Sequence, residues 1–107
     1  MKFRNEKMRE IIIQLAGRFL TEISNGTSLI TVTEVKIADT LSTADIFVSV
    51  FPDSKEVEAL DFLKRNRRDF KQFVMDNVKF PKIPFFDFLI DKGEKHRQRI
   101  EEISSSL

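Results

Sequence analysis

An α+β domain in the order helix, strand, strand, helix, kink, helix, strand is what this sequence predicts, and three observations predict it. Apolar residues recur at spacings of three and four over a long N-terminal stretch. Two adjacent segments rich in β-branched residues then alternate apolar with polar. Finally, two short amphipathic segments meet at Asn66 and run through Pro81 and Pro84 into an alternating phenylalanine strand. A chain of 107 residues with 41% hydrophobic content and 11 phenylalanines suffices for one core, so residues 1–107 are read as a single domain.

The first helix covers Phe3 to Ile23, with Met8, Ile11, Ile12, Leu15, Ala16, Phe19, Leu20 and Ile23 as its stripe. Gly17 interrupts it at about 1 kcal/mol relative to alanine, which points to close packing against a neighbour. Ser24, Asn25, Gly26 and Thr27 end it with turn chemistry. The first strand is Leu29 to Ala38, and strict alternation puts Leu29, Thr31, Thr33, Val35 and Ile37 on one face and Ile30, Val32, Glu34, Lys36 and Ala38 on the other. A turn at Asp39 to Thr43 leads into the second strand, Ala44 to Phe51. Pro52 closes it, and Asp53 with Glu56 resembles a capping box for the next helix, whose apolar face is Val57, Leu60 and Leu63 with Ala59 beside them.

Asn66 follows with no apolar anchor around it, and asparagine leaves right-handed helical geometry more readily than other non-glycine residues, so a kink is placed there. Phe70, Phe73, Val74 and Val78 form the buried stripe of the helix after the kink, and the two prolines close it. In the last strand Phe86, Phe88 and Ile90 oppose Phe85, Asp87 and Leu89. A short C-terminal helix is expected from Glu94 to Ile103, anchored by Ile100 and Ile103, with a frayed tail at 104–107.

Charge is nearly balanced, 18 Lys and Arg against 17 Asp and Glu, but it is sorted along the chain. Lys64, Arg65, Arg67, Arg68 and Lys71 face one acid, Asp69, whereas Asp53, Glu56, Glu58 and Asp61 surround only Lys55. Such sorting focuses field at one place on an otherwise neutral surface. The same pattern also fits a merely solvated helix face. Arg4 and Lys7 belong to a second basic group at the start of the first helix, and Lys79 and Lys82 lie beyond the second.

Catalytic chemistry finds no support. The three glycines form no phosphate-binding loop, and the lone histidine, His96, sits among Lys95, Arg97 and Arg99 without a ligand spacing for metal. Glu101 and Glu102 are neighbours on a helix and point in different directions, which does not suit an acid and base couple. No cofactor or small-molecule substrate is expected. The longest aliphatic run, Ile11 to Ile13, cannot cross a bilayer, no secretion signal precedes it, and cysteine is absent. The expectation is a cytoplasmic monomer with no membrane partner.

Three local patterns, in order and nearly spanning the chain, resemble the bacterial ribosome-binding factor A family. Arg4, Lys7 and Met8 fit its basic start; Leu41, Ala44, Ile46, Phe47, Val48 and Ser49 fit its hairpin; Pro84, Phe86, Phe88 and Asp91 fit its last strand. The resemblance implies a type II KH-like fold, three strands with helices on one face and the two central helices joined at a kink. It implies a noncatalytic factor that binds the free small (30S) ribosomal subunit through 16S rRNA, assists late maturation and processing, and matters in the cold. Two departures stand out: Asn66, Arg67 and Arg68 replace the family's usual Ala, any residue, Gly at the kink, and Thr40 replaces the Asp before the hairpin Leu. Without that glycine, phosphate contact would fall to arginine side chains.

The predicted RNA-binding surface is therefore Arg4, Lys7, Lys64, Arg65, Arg67, Arg68 and Lys71, with Lys79 and Lys82 at its rim. Five phosphates neutralised at the kink would give a log-log salt slope of about −3 to −4, at roughly −0.7 each. Two other readings stay open: a protein-interaction module using Ile30, Val32, Phe47 and Phe51 on a mixed sheet face, or the sheet edge, and a KH-like single-strand RNA binder unconnected with ribosomes.

Overall fold

Apolar stripes at helical and strand spacing collapse onto one layer boundary. In a computed structural model, which describes residues 2–23 and 26–93 with side chains from Glu6 onward, helices cover one face of a mixed three-stranded sheet. The order is α1 (Lys2–Ile23), β1 (Leu29–Ile37), β2 (Thr43–Phe51), a 3-10 turn (Asp53–Lys55), α2 (Glu56–Arg65), α3 (Arg67–Asn77) and β3 (Phe85–Ile90). This is the α+β, type II KH-like arrangement expected from the sequence. Ser24, Asn25, the side chain of Arg4, the predicted helix from Glu94 to Ile103 with His96, and the tail at 104–107 lie outside the described residues.

β2 is the central strand, antiparallel to β1 and parallel to β3. Its inward residues Ala44, Ile46, Val48 and Val50 are all buried, as are Phe86 and Phe88 beside them on β3. From the helical side come Ile12, Leu15, Ala16 and Phe19 of α1, Ala59 and Leu63 of α2, and Phe70 and Val74 of α3. Phe70 is the hub. Its ring meets Phe19 at 5.3 Å, Phe86 at 4.9 Å and Phe88 at 5.8 Å in tilted or edge-on geometry, the arrangement that aromatic quadrupoles favour.

Several expectations are corrected. β1 does not alternate strictly: two residues, Val32 and Glu34, span the step that Val48 and Phe47 take on β2, leaving Thr33 as a bulge. Ile30 and Val32 therefore share the inner face with Val35 and Ile37, and the mixed patch of Ile30, Val32, Phe47 and Phe51 does not exist as one surface. Thr33 turns its hydroxyl to the carboxylate of Asp91, tying β1 to the end of β3.

Gly17 is exposed with no atom within 4 Å of where a Cβ would stand, so it makes no close approach. The Asp53 and Glu56 capping box is absent: Asp53 opens the 3-10 turn, and α2 starts at Glu56 with no side-chain cap. On α2 the buried line is Ala59 and Leu63, while Val57 is 75% exposed. α3 stops at Asn77, ahead of both prolines, where the Asn77 amide donates to the Phe73 carbonyl at 2.7 Å and satisfies a helix-end acceptor. Pro84 is instead a core residue.

Candidate nucleic-acid interface

The helical repeat sorts the cations around Asn66. One turn is 3.6 residues, so residues at spacings of three and four share a face while immediate neighbours diverge. Lys64 and Arg67 turn toward the edge of β3, and Arg65, Arg68 and Lys71 are exposed to solvent.

The break between α2 and α3 lies at Asn66, with φ −98° and ψ 10°. Its N–H bonds the Leu63 carbonyl at 3.0 Å, its own carbonyl accepts from the Phe70 N–H at 2.9 Å, and its side-chain amide donates to the Phe62 carbonyl at 2.8 Å. Asparagine thus closes the last turn of α2 while opening α3. The joint keeps a negative φ, so it asks for no glycine, and the missing glycine leaves its geometry intact.

Asp87, on the outer face of β3, gathers the inward-turned cations. Its Oδ1 accepts from Lys64 Nζ at 3.0 Å, Arg67 Nη1 at 3.2 Å and the Phe88 N–H at 2.9 Å. Desolvation at the strand edge pulls its pKa upward. That effect is outweighed by the Lys64 hydrogen bond, the Phe88 N–H and the positive charges of Lys64 and Arg67, which together hold the carboxyl below its ordinary value. Arg67 is further fixed by a bond from Nε to the Lys64 carbonyl at 3.1 Å, and its guanidinium lies 5.4 Å from the centroid of the Phe85 ring.

The remaining predicted cations divide by location. Lys82 donates to the Thr40 carbonyl at 3.4 Å in the hairpin turn, which also holds β3 through the Phe85 N–H to Ser42 carbonyl bond at 3.0 Å, so Lys82 shares the Phe85 end of the sheet. Lys79 is exposed in the connection to β3. Lys7 is exposed on a part of α1 whose Glu6 and Arg9 line a cleft with Val35, Lys36 and Ile37 of β1, the opposite edge of the sheet from β3. The structure thus brings Lys64, Arg67 and Lys82 to one end, flanked by Arg65, Arg68 and Lys71, and sets Lys7 apart. Sequence reasoning assigned no role to Phe85 or Asp87, although their place opposite the core face of β3 marked them as outward-facing.

Among the described residues no helix is long and apolar enough to cross a membrane. The model of the family described as ribosome-binding factor A matches residues 3–104. A ribosome-binding factor A of Chlorobium phaeovibrioides is 32% identical over all of this chain and 93% of its own length. The crystal structure of ribosome-binding factor A from Thermus thermophilus superposes with a TM-score of 0.73 at 20% identity, over 80% of this chain and 93% of the other. Coordinates of the Thermus thermophilus factor as fitted into a cryo-EM map of a 30S complex give a TM-score of 0.68 at 19% identity, over 78% and 91%.

Proposed function

This chain belongs to the ribosome-binding factor A family, and on that premise we propose that it is a noncatalytic factor for assembly of the small ribosomal subunit, acting as a cytoplasmic monomer of one domain. It binds the free 30S particle through 16S rRNA and assists late maturation and processing, a task that weighs most in the cold. The observation that carries this reading is the family match across residues 3–104. The 30S complex of a relative with the same fold supports the choice of particle.

The geometry supports a phosphate-reading surface and narrows its members. Arg65, Arg68 and Lys71 are exposed on either side of the joint and free to meet the RNA backbone, the arginines as forks and the lysine as a point charge. Lys82 joins them at the hairpin end. Lys64 and Arg67 are held by Asp87 and stiffen the joint that presents the others. Three or four phosphate contacts give a log-log salt slope of about −2 to −3, shallower than all five joint cations would produce. Lys79 is assigned to the rim, and Lys7, at the opposite edge of the sheet, is left out of this surface, while Arg4 stands as read from the sequence.

Sucrose-gradient cosedimentation with free small subunits and with intact ribosomes, at two salt concentrations, tests the proposal. Binding to free small subunits that weakens with salt at this slope is expected. Comigration with another protein and indifference to both particles would sink it.

A further inference from the structure

Beside the cationic surface lies a second feature that phosphate contacts do not use. Phe85 is 56% exposed on the outer face of β3, although phenylalanine has no polar group and gains nothing from water. It carries the Arg67 guanidinium over its ring, so two flat π-bearing groups are offered together. Two residues further along the same face stands Asp87, about 7 Å away by strand geometry. All three bonds received by Asp87 fall on Oδ1, and among the described residues Oδ2 has no partner.

The geometry points to a pocket for one unpaired RNA base: the base stacks on Phe85 and Arg67 and donates an amino hydrogen to Asp87 Oδ2. This rests on the rRNA-binding reading above and adds base recognition to a surface that otherwise reads only phosphate. Aromatic stacking accepts any base, because every base has a π face. The carboxylate supplies the selection. It is an acceptor only: adenine, cytosine and guanine offer it an exocyclic amino donor, whereas uracil's single edge donor, N3–H, lies between two carbonyl oxygens that a carboxylate repels.

The neighbourhood also sets the direction of approach. Asp45 pairs with Asp87 across β2 and β3, and both carboxylates are matched there, Asp45 by Lys36 across β1 and Asp87 by Lys64 and Arg67, so the cations left to draw phosphate are the exposed Arg65, Arg68 and Lys71. The backbone therefore stays on the exposed cations of the joint, and a single base turns over the β3 edge onto the sheet.

Fluorescence anisotropy with short labelled single strands of A, C and U, using the full chain, tests this. The wild type is expected to bind the A and C strands about ten- to a hundredfold more tightly than the U strand, as one charge-assisted hydrogen bond provides. Phe85→Leu, which keeps an apolar side chain on the strand, should weaken the A strand by about five- to hundredfold, the span reported by removing one base stack. Asp87→Ala should bring the C to U ratio to about one, whatever its effect on absolute affinity. Equal wild-type affinities for the three strands, or a Phe85→Leu variant that binds the A strand as the wild type does, would overturn the base pocket while leaving salt-dependent small-subunit binding in place. Loss of that small-subunit binding in the wild type would instead remove the reading on which the pocket rests.

Discussion

Lys64 and Arg67 differ from Arg65, Arg68 and Lys71 in almost nothing that composition records, yet the joint treats them as two kinds of residue. The first pair is folded back on Asp87 within 3.0 and 3.2 Å, and the trio is left in water. Helix phase separates them, since a residue and its neighbour differ by about 100° around the axis. A run of cations is therefore not a unit of function: some members build the platform, and others use it.

Reversing the exposed trio is the strongest way to break this contrast. Arg65→Glu, Arg68→Glu and Lys71→Glu together should weaken small-subunit binding by about a hundredfold, with the salt slope shallower by about 2 and the thermal midpoint unchanged. An unchanged affinity in sedimentation would mean that the two sets are not functionally distinct. Next in size, Asn66→Ala removes the amide that caps Phe62 and should cost about 1 kcal/mol in urea unfolding, because a half-buried helix-end carbonyl loses its donor.

The double change Lys64→Ala and Arg67→Ala sharpens the contrast from the other side. These groups are each about a third exposed, so water screens their pairing and the stability loss should stay below about 1 kcal/mol by chemical denaturation. The salt slope of RNA binding should stay as it was, because neither cation reads phosphate. The smallest effect is in acid. Asp87 has a folded pKa below its ordinary value, so its stabilisation is present above the unfolded pKa near 3.8 and fades as pH falls from there through the lower folded value. Wild type should lose slightly more stability than Asp87→Ala between pH 4 and pH 2 in a denaturant titration (about that window, from the ordinary carboxylate range).

The element order and most of the core were legible because period and propensity agreed. Phe70, Val74, Phe86 and Phe88 are buried where their spacing placed them, and the break falls at Asn66. What escaped were features that depend on a partner distant in sequence. The bulge at Thr33 is set by register against β2, and a one-residue offset leaves no trace in a strand of β-branched residues that would serve either face. The pairing of Lys64 and Arg67 with Asp87 crosses 23 and 20 residues and was hidden for the same reason. Gly17 was misread because a helical glycine is equally compatible with a tight crossing and with plain tolerance, and here its surroundings are open.

Thr33 also fixes how this strand can change over time. Since it is the extra residue of a bulge, exchanging its side chain would loosen its hydroxyl ties to Asp91 and the Phe47 carbonyl, and deleting it would set Val32 beside Glu34, which already face opposite sides, so β1 would close into regular alternation with Ile30 and Val32 still inward. The segment is tolerant in spelling and, at this one position, in length, so lineages that carry this domain should accept a gap at that spot more readily than at any paired position of the strand.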